Sequence, residues 1–147
     1  VITLQFVSDK SLSDTLIEWY GHGAVSHVDV VLPDGLLGAR MAGGVQVRPP
    51  DYEVFTTKKL VTLPAYPAQA HAFETWLRAQ IGKPYDLLAI LAFAADRNWR
   101  DTHAWYCSEL IAAGLETAKW FPFALSTPAN KVTPQDLLLA LSARASV

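Results

Sequence analysis

One thiol and four imidazoles are the groups of this chain that can attack a carbon or move a proton at neutral pH. The thiol is Cys107. It follows a polar stretch, residues 96–103, and the pair Trp105-Tyr106, and the residues after it read as a helix. That places Cys107 at a helix N-terminus, where free N–H groups and a partial positive charge collect. Both favour the thiolate, which is the nucleophilic form of cysteine. The same N–H groups can receive the oxyanion that forms when a thiolate attacks an acyl carbon. A plainer reading fits the same residues. Cys107, Leu110, Ile111, Gly114, Leu115 and Ala118 recur at the spacing of an apolar helix stripe, and unpaired cysteine is among the most buried residue types. On spacing alone, an inert core thiol is the stronger account.

A thiol nucleophile needs a base, which sorts the histidines. His71 falls on the polar face of a predicted helix and is expected to be solvated. His103 precedes the thiol by four residues in a loop, where simple exposure is the first expectation. His22 lies between Gly21 and Gly23, a setting that favours neither role. His27 differs, because it opens the strand Ser26-His27-Val28-Asp29-Val30-Val31-Leu32. A strand supplies the rigid placement that a general base requires. Alternation puts Asp29 and Val31 on its face, with Val28 and Val30 on the other. The pattern also suits a half-buried histidine bonded to backbone. His27 is the best base the sequence offers.

Other chemistries find less support. A metal site built from His22, His27 and Asp29 lacks an HExxH or a paired CxxC, whereas zinc wants three or four ligands at recognisable spacing. No GxxxxGK[ST] loop or GxSxG elbow occurs, so neither a metal nor a cofactor is expected. Twelve basic against fourteen acidic residues leave a net charge of −2, without the basic footprint of a nucleic-acid binder. The longest apolar run is the nine residues Leu87–Ala95, short of the roughly 20 that span a bilayer. No integral membrane segment is therefore expected. No charged-then-apolar leader opens the chain, and a cytoplasmic location is the expectation. A lone cysteine makes no internal disulfide, and 147 residues suit one domain, residues 1–147.

The elements that must position these groups are legible. Ile2, Leu4 and Phe6 alternate with Thr3, Gln5 and Val7, a period suited to a half-buried strand. Ser11 and Asp14 have the form of a capping box opening a helix that Gly21 and Gly23 close. Ser26–Leu32 is a strand, and Pro33-Asp34-Gly35 is strong turn chemistry. Leu36–Arg40 and Val45–Val47 read as strands separated by Gly43-Gly44, with Leu60–Leu63 a later one. Pro67 starts a helix, and Gly82 and Pro84 stop it. Its apolar face carries Ala70, Phe73, Leu77 and Ile81, and its polar face His71, Glu74, Thr75 and Arg78. Leu87–Ala95 reads as a more buried helix, and a third runs from near Tyr106 to about Lys119. Thr133, Pro134 and Asp136 open a C-terminal helix carrying Leu137, Leu138 and Leu141. Strands first and helices later predict an α+β domain, an antiparallel sheet packed against helices.

With these elements in place, Ile81-Gly82-Lys83-Pro84-Tyr85-Asp86, followed about twenty residues later by Trp105-Tyr106-Cys107-Ser108-Glu109-Leu110, resembles the NlpC-type cell-wall peptidases. Those carry a Gly-x-Pro-Tyr stretch ahead of a Cys-Ser nucleophile helix. In ordinary members the histidine strand follows the cysteine; here Ser26-His27-Val28 precedes it. That order is similar to the circularly permuted branch of the papain-like superfamily, which includes relatives of lecithin-retinol acyltransferase and phage-borne members. The stretch from Leu36 through Gly43-Gly44-Val45 to Pro50 is similar to the strands that follow the histidine there. The resemblance spans roughly Ser26 to Leu115.

The resemblance implies a papain-like fold with Cys107 as nucleophile at its helix N-terminus, His27 as general base and Tyr85 as an aid to the oxyanion. By itself, a phenol in a Pro-Tyr turn is a packing residue with a polar tip. The family also places a polar residue on the strand after the histidine to orient the imidazole, and here the nearest positions are Gly38 and Ala39. Asp29, Arg40 and Gln46 are the substitutes within reach. An arginine beside the base disfavours imidazolium, which leaves Asp29 and Gln46, and Asp29 can equally face solvent or pair with an arginine. The implied activity is thiol hydrolysis of an amide bond, with a peptidoglycan peptide as substrate. The alternatives are acyl transfer or thioester hydrolysis on lipid or other acyl substrates, and an inactive binding or structural module of the same fold.

Overall fold

A computed structural model describes residues 1–8, 24–87 and 103–145 of the chain. Five strands are found there: β1 (Ile2–Ser8), β2 (His27–Leu32), β3 (Gly35–Arg40), β4 (Gly44–Arg48) and β5 (Thr57–Leu63). They form one antiparallel sheet in the order β4-β3-β2-β1-β5. Three α-helices follow: α1 (Pro67–Arg78), α2 (Cys107–Thr117) and α3 (Pro134–Ser142), with a 3-10 turn at Ala129–Lys131. The domain is α+β, with the strands ahead of the helices. The predicted helix at Ser11–Gly21 and all but Leu87 of the one at Leu87–Ala95 lie outside the described residues, as does His22.

Register explains why the sheet has one oily face. Leu4 pairs with Val30 on one side and Val61 on the other, Phe6 with Val28, Ile2 with Leu63, Val30 with Leu37, and Ala39 with Val45. Residues directly opposite in a sheet share a face, so these rows make one apolar surface. They join Phe73, Leu77, Leu110, Ile111, Leu115, Leu137 and Leu141 from the helices in a single buried cluster. The other face carries the polar rows, among them Gln5 opposite Asp29 and Gly38 opposite Gln46. The β2–β3 turn uses Gly35 at φ 143°, and the β3–β4 turn uses Gly43 and Gly44 at φ 86° and 66°. These are conformations glycine reaches without steric cost.

The helices stop and start where their end residues dictate. Pro67 occupies the first turn of α1, and Thr133 with Asp136 closes a reciprocal capping box on α3. The stripe of α2 is buried throughout, from Cys107 to Ala118. Gly114 lets α2 approach α1, since a Cβ there would lie 2.9 Å from the Phe73 ring. One sequence expectation fails. Ile81 is 45% exposed rather than core, because α1 ends at Arg78 and the turn of residues 80–83 carries it off the apolar face. No helix among the described residues is long and apolar enough to cross a membrane.

Candidate active site

The two sequence segments that flank the thiol are tied together by backbone. Trp105 N–H donates to Pro84 O and Asp86 N–H to Trp105 O, both at 3.0 Å, and Tyr85 bridges Trp105 in parallel. The loop ahead of Pro84 is fixed in turn by β4. Gly82 N–H donates to Val45 O and Val45 N–H to Lys83 O, both at 2.9 Å. Gly44 permits this contact, since a Cβ there would sit 2.2 Å from Lys83 O. The Gly-Lys-Pro-Tyr segment thus runs alongside the residues that lead into α2.

Further bonds anchor the first turn of α2. Tyr106 and Ser108 hydroxyls both donate to Val132 O at 2.7 Å, and Trp105 Nε1–H donates to Gln80 Oε1 at 3.2 Å. Trp105 and Tyr106 are therefore core residues. Burial, with Glu109, Cys107 and Tyr85 nearby, holds the Tyr106 phenol well above its ordinary pKa, so it remains a donor. Tyr106 is the N-cap, and the N–H groups of the turn that begins at Cys107 have no acceptor within the helix.

Cys107 and His27 come together where α2 meets the start of β2. Cys107 Sγ lies 3.9 Å from the backbone oxygen of Ser26, the residue before His27, and the thiol is close enough to the His27 ring to help raise its pKa. His27 Nε2–H donates to Asp29 Oδ1 at 2.8 Å. With Nε2 engaged there, Nδ1 is the ring nitrogen left to serve the thiol. All three side chains are buried: Cys107 is 1% exposed, His27 4% and Asp29 0%. Burial alone would push the imidazole down, but Asp29 and Cys107 outweigh it and raise the His27 pKa from 6.5 to about 9. Asp29 moves the other way. Burial raises it, and His27, the Tyr52 hydroxyl and Arg40 together bring it below the usual carboxylate value. The imidazolium–carboxylate pair is thus the favoured state at neutral pH.

Asp29 is the residue that holds the imidazole by a hydrogen bond, and its neighbours show why. A Cβ built on Gly38 would meet Asp29 Oδ1 at 2.0 Å. The position where a polar side chain is expected on the following strand is already filled by the Asp29 carboxylate, and only glycine leaves room for it. Gln46 plays no such part, because its Nε2 turns back to Ala42 O at 3.4 Å. Arg40 stacks over the Tyr52 ring, 4.9 Å from its centroid. Arg48 clasps the β3–β4 hairpin, donating to Gly38 O at 3.1 Å and to Ala42 O and Gly44 O at 2.9 Å each. Tyr85 is half-buried and pairs with Trp105, two residues before Cys107, near the Tyr106 phenol. His71 and His103 are exposed.

One residue the sequence reading missed is Tyr52, whose hydroxyl donates to Asp29 Oδ2 at 2.8 Å. Its only sequence signal is the rigid Pro49-Pro50-Asp51 turn, which sends the chain back toward the sheet after β4. Among the described residues, no group of three or more His, Cys, Asp or Glu is placed to hold a metal ion. No protein-family model matches the chain, and no curated protein matches it either.

Proposed function

We propose that this protein is a thiol hydrolase of the permuted NlpC-type, papain-like class, cleaving an amide bond in peptidoglycan peptides. The observation that carries the reading is the buried row Cys107, His27, Asp29 at the N-terminus of α2. The substrate class rests on the resemblance of the Gly82–Tyr85, Cys107-Ser108 and Ser26–Val28 segments. In the proposed reaction, the Cys107 proton already resides on His27 Nδ1 as the imidazolium, and the thiolate attacks the acyl carbon to form a tetrahedral oxyanion. The free N–H at Cys107, with Tyr85 as its aid, faces that oxyanion. The imidazolium then protonates the departing amine, leaving a thioester on Sγ. Water, deprotonated by His27, hydrolyses the thioester and restores the thiol. Asp29 holds the imidazole in one tautomer and stabilises its charged form throughout.

Alkylation tests the reading. Iodoacetamide at about pH 6 is expected to modify Cys107 in the native protein faster than a free thiol of pKa roughly 8.5 allows. His27→Ala is expected to slow that reaction, and His103→Ala to leave it unchanged. Release of amines from peptidoglycan peptides, lost in Cys107→Ala, then distinguishes amide hydrolysis from action on acyl esters. The burial of the thiol favours a second reading, the same fold kept as a binding module without turnover. Cys107 that stays unmodified until the protein unfolds would establish that second reading and overturn the first.

A further inference from the structure

We propose that Tyr52 is a positioning residue of this site, whose hydroxyl keeps the Asp29 carboxylate turned toward His27 and away from Arg40 and Arg48. The inference rests on the proposed roles of His27 and Asp29, and it concerns what fixes their geometry. A carboxylate on a short side chain rotates about its Cβ–Cγ bond, so one hydrogen bond does not settle which neighbour it serves. Here both oxygens are assigned: Oδ1 to His27 Nε2 and Oδ2 to the Tyr52 hydroxyl, each at 2.8 Å.

The groups around Asp29 compete for it. His27 comes from its own strand, Arg40 from β3 and Arg48 from β4, and both guanidiniums attract the carboxylate. Gln5 on β1 stands directly opposite, a buried amide whose Nε2 has no hydrogen-bond partner among the described residues. On β3, Gly38 offers no side chain. His27 is faced in turn by Asp29 and Cys107. Tyr52 acts on this competition twice. Its hydroxyl fills Oδ2, and its ring engages both cations, its centroid 4.9 Å from Arg40 Cζ and 5.6 Å from Arg48 Cζ. Burial beside Asp29 holds the phenol far above its ordinary pKa, so it stays protonated and donates at neutral pH.

Removing that single oxygen leaves two arginines and one imidazole contending for a carboxylate free to turn. The carboxylate moves toward the arginines, and His27 loses the partner that keeps it charged. NMR titration of His27 in the full chain reads this directly. Tyr52→Phe is expected to lower the imidazolium-to-imidazole ratio roughly tenfold on the titration limb, equivalent to about 1.4 kcal/mol. Adding Arg40→Gln removes a competitor, and the resulting upward move of the His27 titration is expected to be larger in the Tyr52→Phe background than in wild type, because loss of a nearby cation by itself raises it equally in both. An unchanged or raised His27 titration in Tyr52→Phe overturns the proposal, as does an Arg40→Gln shift of equal size in the two backgrounds. If Tyr52→Phe fails to fold, Arg40→Gln in the wild-type and Asp29→Asn backgrounds decides: a larger upward move with the carboxylate present supports the competition, and an equal move overturns it. These outcomes are separate from the alkylation of wild-type Cys107. An inert thiol defeats the hydrolase reading while the His27 titration still judges Tyr52.

Discussion

Replacing Gly38 by alanine sets a small backbone gain against a large loss at the site. In a strand interior, glycine is less stable than alanine by roughly 0.5–1 kcal/mol, so Gly38→Ala in empty space would stabilise the sheet. The space is occupied. The new Cβ would lie 2.0 Å from Asp29 Oδ1, 3.1 Å from its Cγ and 3.3 Å from Val28 O. The carboxylate must leave, and it gives up its bonds to His27 Nε2 and the Tyr52 hydroxyl. Each hydrogen bond to a charged group contributes roughly 1.5–3 kcal/mol. The expected net cost is about 2–5 kcal/mol, read as a drop in the urea midpoint at pH 6 with an unchanged slope. His27 should also titrate at lower pH. In an Asp29→Ala background the clash is gone, and Gly38→Ala should cost nothing or stabilise slightly. A double-mutant cycle isolates that coupling. Gly38→Ala within about 0.5 kcal/mol of wild type, or equally costly without Asp29, would refute the claim that the carboxylate fills the site of a missing side chain.

Further predictions rest on other contacts. His27 is raised from 6.5 to about 9, so its contribution to stability is complete below pH 6.5 and is lost as pH climbs through about 9. Asp29 is depressed from 3.8, so its contribution is complete above pH 3.8 and is lost as pH falls through its lowered value. Stability should therefore fall by up to about 3 kcal/mol between pH 6 and pH 10. The fall should be much smaller in Asp29→Asn, and an equal decline in that variant would trace the effect to another group. Gly114→Ala pushes a Cβ to 2.9 Å from the Phe73 ring and should destabilise by roughly 1–3 kcal/mol; a neutral result would mean that α1 and α2 have slack. Thr133→Ala removes the α3 cap and should cost about 1 kcal/mol while leaving Cys107 alkylation unchanged.

The readable features were the local ones. Alternation on β1 and β2 placed the core because pleating turns every second residue inward, and Pro67 and Thr133 marked helix starts because their own chemistry suits those positions. His27 and Asp29 were legible as a pair because two residues on one strand share a face whatever the rest of the sheet does. The losses came where a fact depends on a distant partner. Gln46 passed as an orienter by type and proximity, but its amide turns back to its own hairpin. Ile81 matched the helix period, yet the helix had ended three residues before it. Tyr52 reaches Asp29 from a loop 23 residues away, a contact with no periodic signature.

Gly38 shows how such a distance reverses a conclusion. Read along the chain, a glycine where a polar side chain is expected suggests a weakened site. Across the sheet, it is the opening through which Asp29 reaches the imidazole. His27 and Asp29 come from one strand. Their mutual distance is set by the pleat of β2 and survives small movements between strands. Cys107 alone belongs to another element, held by Val132 through Tyr106 and Ser108 and by Pro84 through Trp105. The geometry of the row therefore hangs on the placement of the α2 N-terminus against the start of β2. Substitutions that loosen those anchors should disturb the thiol–imidazole contact while leaving the His27–Asp29 bond in place.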